Sequence, residues 1–383
     1  GGDAVLNAEK KFLIEEGFDV YTLAFDRELK SDANIYSFYE SGSRLKRKLT
    51  KFVGSKDIKN FIRASLKEIN PDLVHIHLVS KYPADLYACL NGYKVLQTLH
   101  GPNLFCTTSW GGFKNGAACE LGIGSKCYLN GCASLTNTFL YVQLSKRYMS
   151  FIKQNIDLFH SPSRQMYSSC KRLGFENTLY QPLGIDEVFS EPVVKPKNSR
   201  PVLLFVGALN EVKGIKVLMQ AMLRIVEKYP EVILKIAGRG DLTAWLKNFI
   251  SKNELDQNVT LLGFVDHREV RDLYIEADIF LMPSVWQEQF GLVGPEALAC
   301  ETPCIASNVG GIPEWLHHNQ WGYLVPPLSI NDLSQAVIDL LSNAEKRKAF
   351  GRRGRKFVLR EYSSKQYKKG MLKIIKGLLH SEK

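Results

Sequence analysis

At 383 residues, 45% hydrophobic and 23% charged, the chain has the length of two or three domains and enough apolar content to bury their cores, which excludes a disordered polymer. No run approaches the ~18 consecutive apolar residues of a spanning helix, and the chain does not open on a charged region followed by an apolar one, so neither a membrane span nor a secretory leader is expected. A formal charge of +11, from 50 Lys+Arg against 39 Asp+Glu, favours an anionic partner, and eight cysteines are too sparse for a disulfide scaffold, which points to a reducing, cytoplasmic setting.

In chain order, short apolar runs alternate with helical patterns. The chain opens at Gly1-Gly2-Asp3 and enters a helical pattern at once (7–16), so a glycine turn stands without the strand that should precede it. In a doubly wound sheet that strand is central, and the expectation is that it is missing from this sequence. A strand is expected at 19–24, and then comes the most basic stretch. Residues 44–63 hold eight Lys and Arg against one acid, Asp57, with Leu45, Leu49, Phe52 and Val53 at helical spacing. Such a helix can lie on an anionic membrane surface; equally, its apolar stripe can pack on a domain core while its charges are solvated. Nucleic acid is not expected, because no zinc-finger, RRM or helix-turn-helix pattern accompanies the charge.

A helix at 58–69 and strands at 73–77, 95–100, 158–161 and 178–181 follow. His75 and His77 alternate on one strand and so face one side, with no third ligand near them in sequence; they read as core or cleft-wall residues. After His100 comes a glycine-rich insertion, 101–135, with Cys106, Cys119, Cys127 and Cys132. Their spacings lack the paired C-x2-C of a zinc knuckle, so ordinary thiols are the first reading, with metal ligation or disulfides as alternatives. Cys89, Cys170, Cys300 and Cys304 read as core positions. Residues 190–201, with three prolines and no periodicity, read as a linker. Beyond it the scheme repeats, with strands at 202–207, 233–238, 259–263, 279–283, 304–307 and 322–325, and a last helical pattern at 365–379. The organisation read from this is an N-terminal α/β domain at 1–189, a C-terminal α/β domain at 202–364, and a tail, 365–383, packing back across the domains. Two such α/β domains present the carboxyl ends of their sheets to one cleft, the expected active site.

The strongest local signal is Pro283-Ser284 followed by Glu288, Phe290-Gly291-Leu292-Val293, Pro295 and Glu296-Ala297. It presents a loop carboxylate and a helix carboxylate seven residues apart around a glycine turn, with proline in the first turn of the helix and backbone N–H groups able to hold a phosphate. The string resembles the E-x7-E motif of the retaining glycosyltransferases of family 4, which have the GT-B fold of two Rossmann-like doubly wound domains facing across a cleft. The resemblance runs over nearly the whole chain. Val206-Gly207-Ala208-Leu209 to Lys213-Gly214 is similar to the segment that holds the donor diphosphate, with Lys213 in the place of its phosphate-binding lysine. Ile236-Ala237-Gly238-Arg239-Gly240 and Leu262-Gly263-Phe264-Val265 resemble the loops around the donor's base and sugar, and Gly310 to Glu314 and Gly322 to Pro327 are similar to two further landmarks.

The resemblance implies a hexosyltransferase using a UDP- or GDP-linked sugar as co-substrate, with no essential metal. His100 and Glu288 would be catalytic. The donor would be bound by Gly2, Gly207, Lys213, Arg239, Phe264, Val265, Phe290, Gly291, Leu292, Val293 and Glu296. The acceptor would be a glycan or lipid-linked sugar of surface polysaccharide or glycolipid synthesis, reached from the cytoplasm, with 44–63 on the inner membrane face. One departure is Ala208, where many members carry an arginine, a planar bidentate phosphate donor. Ala208 leaves open a catalytically silent sugar-nucleotide-binding or scaffold protein. A GT-B epimerase is disfavoured by the context of the two glutamates.

Overall fold

A computed structural model of the chain describes residues 2–25, 34–38, 55–77, 83–102, 104, 106–107, 119 and 122–381. The insertion thus lies partly outside the described residues, and Gly1 and 44–54 of the basic stretch lie wholly outside them. Helix α1 (Gly2–Glu15) leads through Gly17 into β1 (Thr22–Phe25), which pairs in parallel with β2 (Ile35–Phe38). The strand β2 has no counterpart in the sequence reading, since four residues with mixed exposure carry too little alternation to register.

Helix α2 (Lys56–Ile69) buries Ile58, Ile62 and Leu66 on the first half's core and stops at Asn70, whose φ of 46° is the left-handed turn asparagine tolerates. Lys59 on its flank pairs with Asp85 at 3.4 Å. In the described part of the basic stretch, 55–63, Ile58 and Ile62 pack on protein, while Leu45, Leu49, Phe52 and Val53 lie outside the described residues. A second parallel ladder holds β3 (Val74–Ile76), β4 (Val95–Thr98), β5 (Leu158–Ser161) and β6 (Thr178–Tyr180) in that order, with helices α3 (Leu135–Asn155) and α4 (Arg164–Arg172) between its last strands. All four residues of β4 are buried, as expected of a strand covered on both faces.

In the second half six parallel strands, β7 (Val202–Val206), β8 (Ile233–Ala237), β9 (Val259–Gly263), β10 (Ile279–Met282), β11 (Cys304–Ser307) and β12 (Gly322–Val325), lie in the order β12-β11-β10-β7-β8-β9. The order reverses between β7 and β10, and a crevice opens there at the strands' carboxyl ends. Helix α5 (Ile215–Lys228) buries Leu218, Met219, Met222 and Ile225 against one face of this sheet.

Helix α6 (Val293–Ala299) and α7 (Ile330–Ser342) follow, then α8 (Ala344–Glu361) and α9 (Ser364–His380). Helix α9 crosses back to the first half. Its Tyr367, Met371, Ile374 and Ile375 share one buried cluster with Val5 and Phe12 of α1 and with Leu204 and Phe280 of the second sheet. At its far end Lys94 Nζ donates to the carbonyls of Leu378 and Leu379 at 2.8 and 3.0 Å, neutralising the negative end of the helix. Parallel sheets in both halves, with helices between their strands, are the GT-B architecture that the sequence led one to expect.

Candidate active site

On the second half's side, the site is built from loops after β7 and β10. Asn210 caps the short turn Glu211–Lys213, accepting the Lys213 N–H at 3.2 Å, and Val285 N–H donates to the Val212 carbonyl at 2.9 Å. Between them Gly214, with φ of 71°, lies so close to Pro283 that an added Cβ would stand 1.8 Å from its carbonyl oxygen. Only glycine permits that approach, and it lays the lysine over the 284–288 loop. Lys213 Nζ donates to Glu288 Oε1 at 2.6 Å, Ser284 Oγ donates to the same oxygen at 2.7 Å, and the Trp286 ring covers the ammonium at 4.8 Å from its centroid. Glu288 and Ser284 are buried.

Behind Glu288, Gly311 N–H donates to the Glu288 carbonyl at 2.8 Å and Gly310 N–H to Gln287 Oε1 at 2.8 Å. A Cβ on Gly310 would lie 2.1 Å from the Glu288 carbonyl oxygen, so the paired glycines act as the wall against which the glutamate loop is pressed. The second carboxylate has different surroundings. Glu296, on α6, is 5% exposed and accepts only the Tyr274 hydroxyl, at 3.2 Å, among the contacts of its described neighbours. Burial raises its carboxyl to about 7, while the Tyr274 bond pulls the other way.

The other donor-side candidates gather at the same strand ends. Gly207 N–H donates to the Ala237 carbonyl, Leu209 N–H to Arg239, and Gly238 N–H to Gly263, so the loops after β7, β8 and β9 are stitched together. Arg239 lies over Gly263, Phe264 is 70% exposed, and Val265 is half-buried. Gly291 takes φ of 77°, the turn that separates the two glutamates, and Leu292 and Val293 pack beside the core. Phe290 is placed differently from what a binding role for its ring requires: the ring is buried against Tyr362, and its carbonyl accepts the Trp315 indole N–H at 2.6 Å, so it anchors the loop. Ala208 is exposed on the rim. Gly2 is the first residue of α1.

On the first half's side, His77, His100 and His160 come from the neighbouring β3, β4 and β5 segments and meet near the ladder's carboxyl end. His77 Nδ1 lies 3.0 Å from His100 Nε2. His75 and His77 face one way, as their alternation requires, with ring centroids 4.1 Å apart. The partner that no sequence spacing offered is Glu9 of α1, 1% exposed, 3.0 Å from His75 Nδ1 and 3.7 Å from His77 Nε2. Tyr367 of α9 donates to Glu9 at 2.9 Å. Burial holds His100 and His160 each down to about 4, and desolvation holds His77 low as well, so these rings are neutral at physiological pH.

Between the halves, Glu314 accepts the Arg164 N–H at 2.6 Å, at the start of α4, and the Tyr180 hydroxyl at 3.0 Å. Cys106 and Cys119 line a small cavity with Gln165, Ser169, Gln287 and Gln289, next to the glutamate loop. Cys89, Cys170, Cys300 and Cys304 are buried free thiols, as the sequence reading expects. Glu9, His160, Tyr367 and Trp286 are the site neighbours that sequence reasoning missed. His160 alone carried a signal, since it lies near the carboxyl end of an expected strand.

The two sets of parallel sheets, with helices on their faces, have the GT-B architecture. Residues 188–357 match the model of the glycosyl transferases group 1. Spore coat protein SA of Bacillus subtilis (strain 168) is 32% identical over 166 residues, 42% of this chain and 44% of that protein. The chain thus spans less than half the length of the curated relatives it matches. Among solved structures, sucrose-phosphate synthase from Thermosynechococcus elongatus superposes with a TM-score of 0.76 over 100% of this chain and 94% of that one, at 20% identity. HepE of Anabaena, solved in complex with UDP-glucose, gives 0.72 over 98% and 96%, at 15% identity. At these identities the two structures establish the shared fold.

Proposed function

We propose that the chain is a retaining family 4 glycosyltransferase that moves a hexose from a UDP- or GDP-linked donor to a glycan or lipid-linked acceptor of surface polysaccharide or glycolipid synthesis. The observation that carries this is the Lys213–Glu288–Ser284 cluster at the strand-order switch, with Glu296 on the helix that follows. Sugar transfer requires the departing diphosphate to be neutralised as the anomeric bond breaks, with the acceptor hydroxyl held in reach. In this reading Lys213 leaves Glu288 for the diphosphate, and Glu288 is released to the donor sugar's hydroxyls. Glu296 takes the ribose and His100 the sugar near the reacting carbon. Glu288 meets hydroxyls and does not attack carbon, so the covalent two-carboxylate route of retaining glycosidases is not invoked. The cavity lined by Cys106, Cys119 and Gln287, beside the glutamate loop, supports a role for the insertion on the acceptor side. The setting is cytoplasmic, with the basic stretch 44–63 as the contact for an anionic membrane face.

Ala208 favours a second reading, a silent sugar-nucleotide-binding protein, because its exposed methyl supplies no guanidinium to the diphosphate. Calorimetry with UDP, GDP, ADP and CMP, on this chain and on Glu296→Ala, tests the donor site without an acceptor. Selective binding that the variant weakens is expected; no binding by the folded protein would overturn both readings, and binding without sugar transfer would leave the silent one. Ala208→Arg is expected to leave donor affinity equal or higher.

A further inference from the structure

Glu9, His75 and His77 turn polar atoms toward one another in the first half without forming a hydrogen bond. Glu9 Oε1 is buried and has no hydrogen-bond partner, although His75 Nδ1 stands 3.0 Å away. A contact that short which is still not a hydrogen bond is badly out of line, so the in-plane direction of the imidazole nitrogen runs past the oxygen. His77 Nε2 lies 3.7 Å from the other carboxylate oxygen, Oε2, beyond hydrogen-bonding reach. One nitrogen of each ring and one oxygen of Glu9 all lie within 4.8 Å of one another.

The hydrogens around these atoms are assigned from the far end of the cluster. The Gln181 carbonyl only accepts, so His160 Nε2, 2.7 Å away, carries a hydrogen. Burial keeps His160 neutral, so its Nδ1 is bare and takes the Thr98 hydroxyl hydrogen over 3.0 Å. Thr98 Oγ1 is left to accept, and His75 Nε2, 2.8 Å away, is its donor. A neutral His75 then presents a bare lone pair on Nδ1 beside a carboxylate oxygen that also has only lone pairs. Two such acceptors repel unless a cation lies between them. A shared proton has to sit on the line joining them, which the alignment refuses; a metal ion sits to one side, where His77 Nε2 can reach it too.

The opposite atom of each residue is already engaged. His75 Nε2 meets Thr98, His77 Nδ1 stands 3.0 Å from His100 Nε2, and Glu9 Oε2 accepts the Tyr367 hydroxyl at 2.9 Å. Outer hydrogen bonds of this kind orient the inner ligands of a metal. The alternation of His75 and His77 offers no third ligand in sequence; α1 brings one.

We propose that Glu9, His75 and His77 form a binding site for a zinc-type divalent cation, held by His75 Nδ1, His77 Nε2 and a carboxylate oxygen of Glu9. Two imidazoles and one carboxylate suit zinc, whereas calcium and magnesium take oxygen ligands. Donors at ~2.0–2.1 Å from zinc stand roughly 3.3 Å apart, so the set closes on an ion by contracting about 1 Å. The site is independent of the donor reading, since no residue of the Lys213–Glu288 cluster takes part in it.

The test is metal binding by the full chain, freed of any affinity tag, stripped with chelator, reloaded with zinc and desalted. About one zinc per chain is expected to remain. Cobalt in its place should give visible bands without the near-ultraviolet thiolate band that Cys106, Cys119, Cys127 and Cys132 would produce. In spectra of 15N-labelled histidine, zinc should move the His75 and His77 signals and leave those of His317 and His318 in place. Glu9→Gln keeps the shape of the side chain but not its charge, and is expected to weaken zinc by about a hundredfold or more; Thr98→Val, which removes only the outer bond to His75, by about tenfold. A folded parent that retains no zinc, a thiolate band with unmoved His75 and His77 signals, or a Glu9→Gln variant that binds zinc as tightly as the parent overturns the proposal. Should Glu9→Gln fail to fold, the histidine spectra of the parent decide.

Discussion

The two halves of the cleft are made in opposite ways. In the second half, Lys213, Ser284 and Glu288 come from loops at adjacent strand ends, with Glu296 on the helix that follows, and glycines 214 and 310 press those loops together. In the first half, Glu9, His75, His77, Thr98, His100, His160 and Tyr367 come from five separate segments, the last of them α9 returning across the chain. The difference separates two kinds of site: one whose groups travel together in a motif, and one whose groups are gathered by packing. The first kind responds to loop changes, the second to changes anywhere along α1 or α9.

The largest expected effect breaks the local half. Glu288→Ala leaves the Lys213 ammonium and the Ser284 hydroxyl without their acceptor, and transfer is expected to fall by roughly a hundred- to a thousandfold, measured as release of the nucleotide by a variant that still unfolds cooperatively. A loss below tenfold would remove Glu288 from the chemistry.

Next comes a trade between binding and stability. Glu296 has a folded carboxyl at about 7 against an ordinary 4.5, so the folded state binds the more protons between those values. Its contribution is fully present below pH 4.5 and is lost as pH rises through 7. Glu296→Gln has no such charge and keeps an acceptor for Tyr274. It is expected to gain up to about 3 kcal/mol at pH 8 and nothing at pH 5, read as a melting temperature higher by several degrees only at the higher pH. Nucleotide affinity should fall in the same variant, and equal melting at both pH values would sink the burial account.

Smaller effects probe the gathered half. Tyr367→Phe removes the hydroxyl that α9 gives to Glu9 and is expected to cost about 2 kcal/mol in urea unfolding, with donor affinity unchanged. If donor affinity fell as well, α9 would have to reach the site by more than this bond. Lys94→Met removes the ammonium that caps the far end of α9 and is expected to cost about 0.5–1 kcal/mol, detectable as earlier amide exchange in α9 alone.

Much of the fold was legible because buried parallel strands leave continuous apolar runs. β5, β9, β11 and β12 begin and end where those runs do. β2 was not, because a four-residue strand with mixed exposure has no period to read. At the site, the glutamate loop was legible as chemistry, but the roles inside it were not. Phe290 stands in the motif beside the glycine turn, yet its ring anchors the core against Tyr362, a fact fixed by α8 and not by its neighbours in sequence. His75 and His77 were legible as a pair on one face, while the acid they face was not.

The sequence by itself determined the α/β alternation and the loop that carries lysine, serine and glutamate chemistry, because periodicity and turn residues act over a few positions. Only the tertiary structure decided which acid faces the histidines. A contact between residues 9 and 367 depends on which helix faces meet, and local spacing does not encode that.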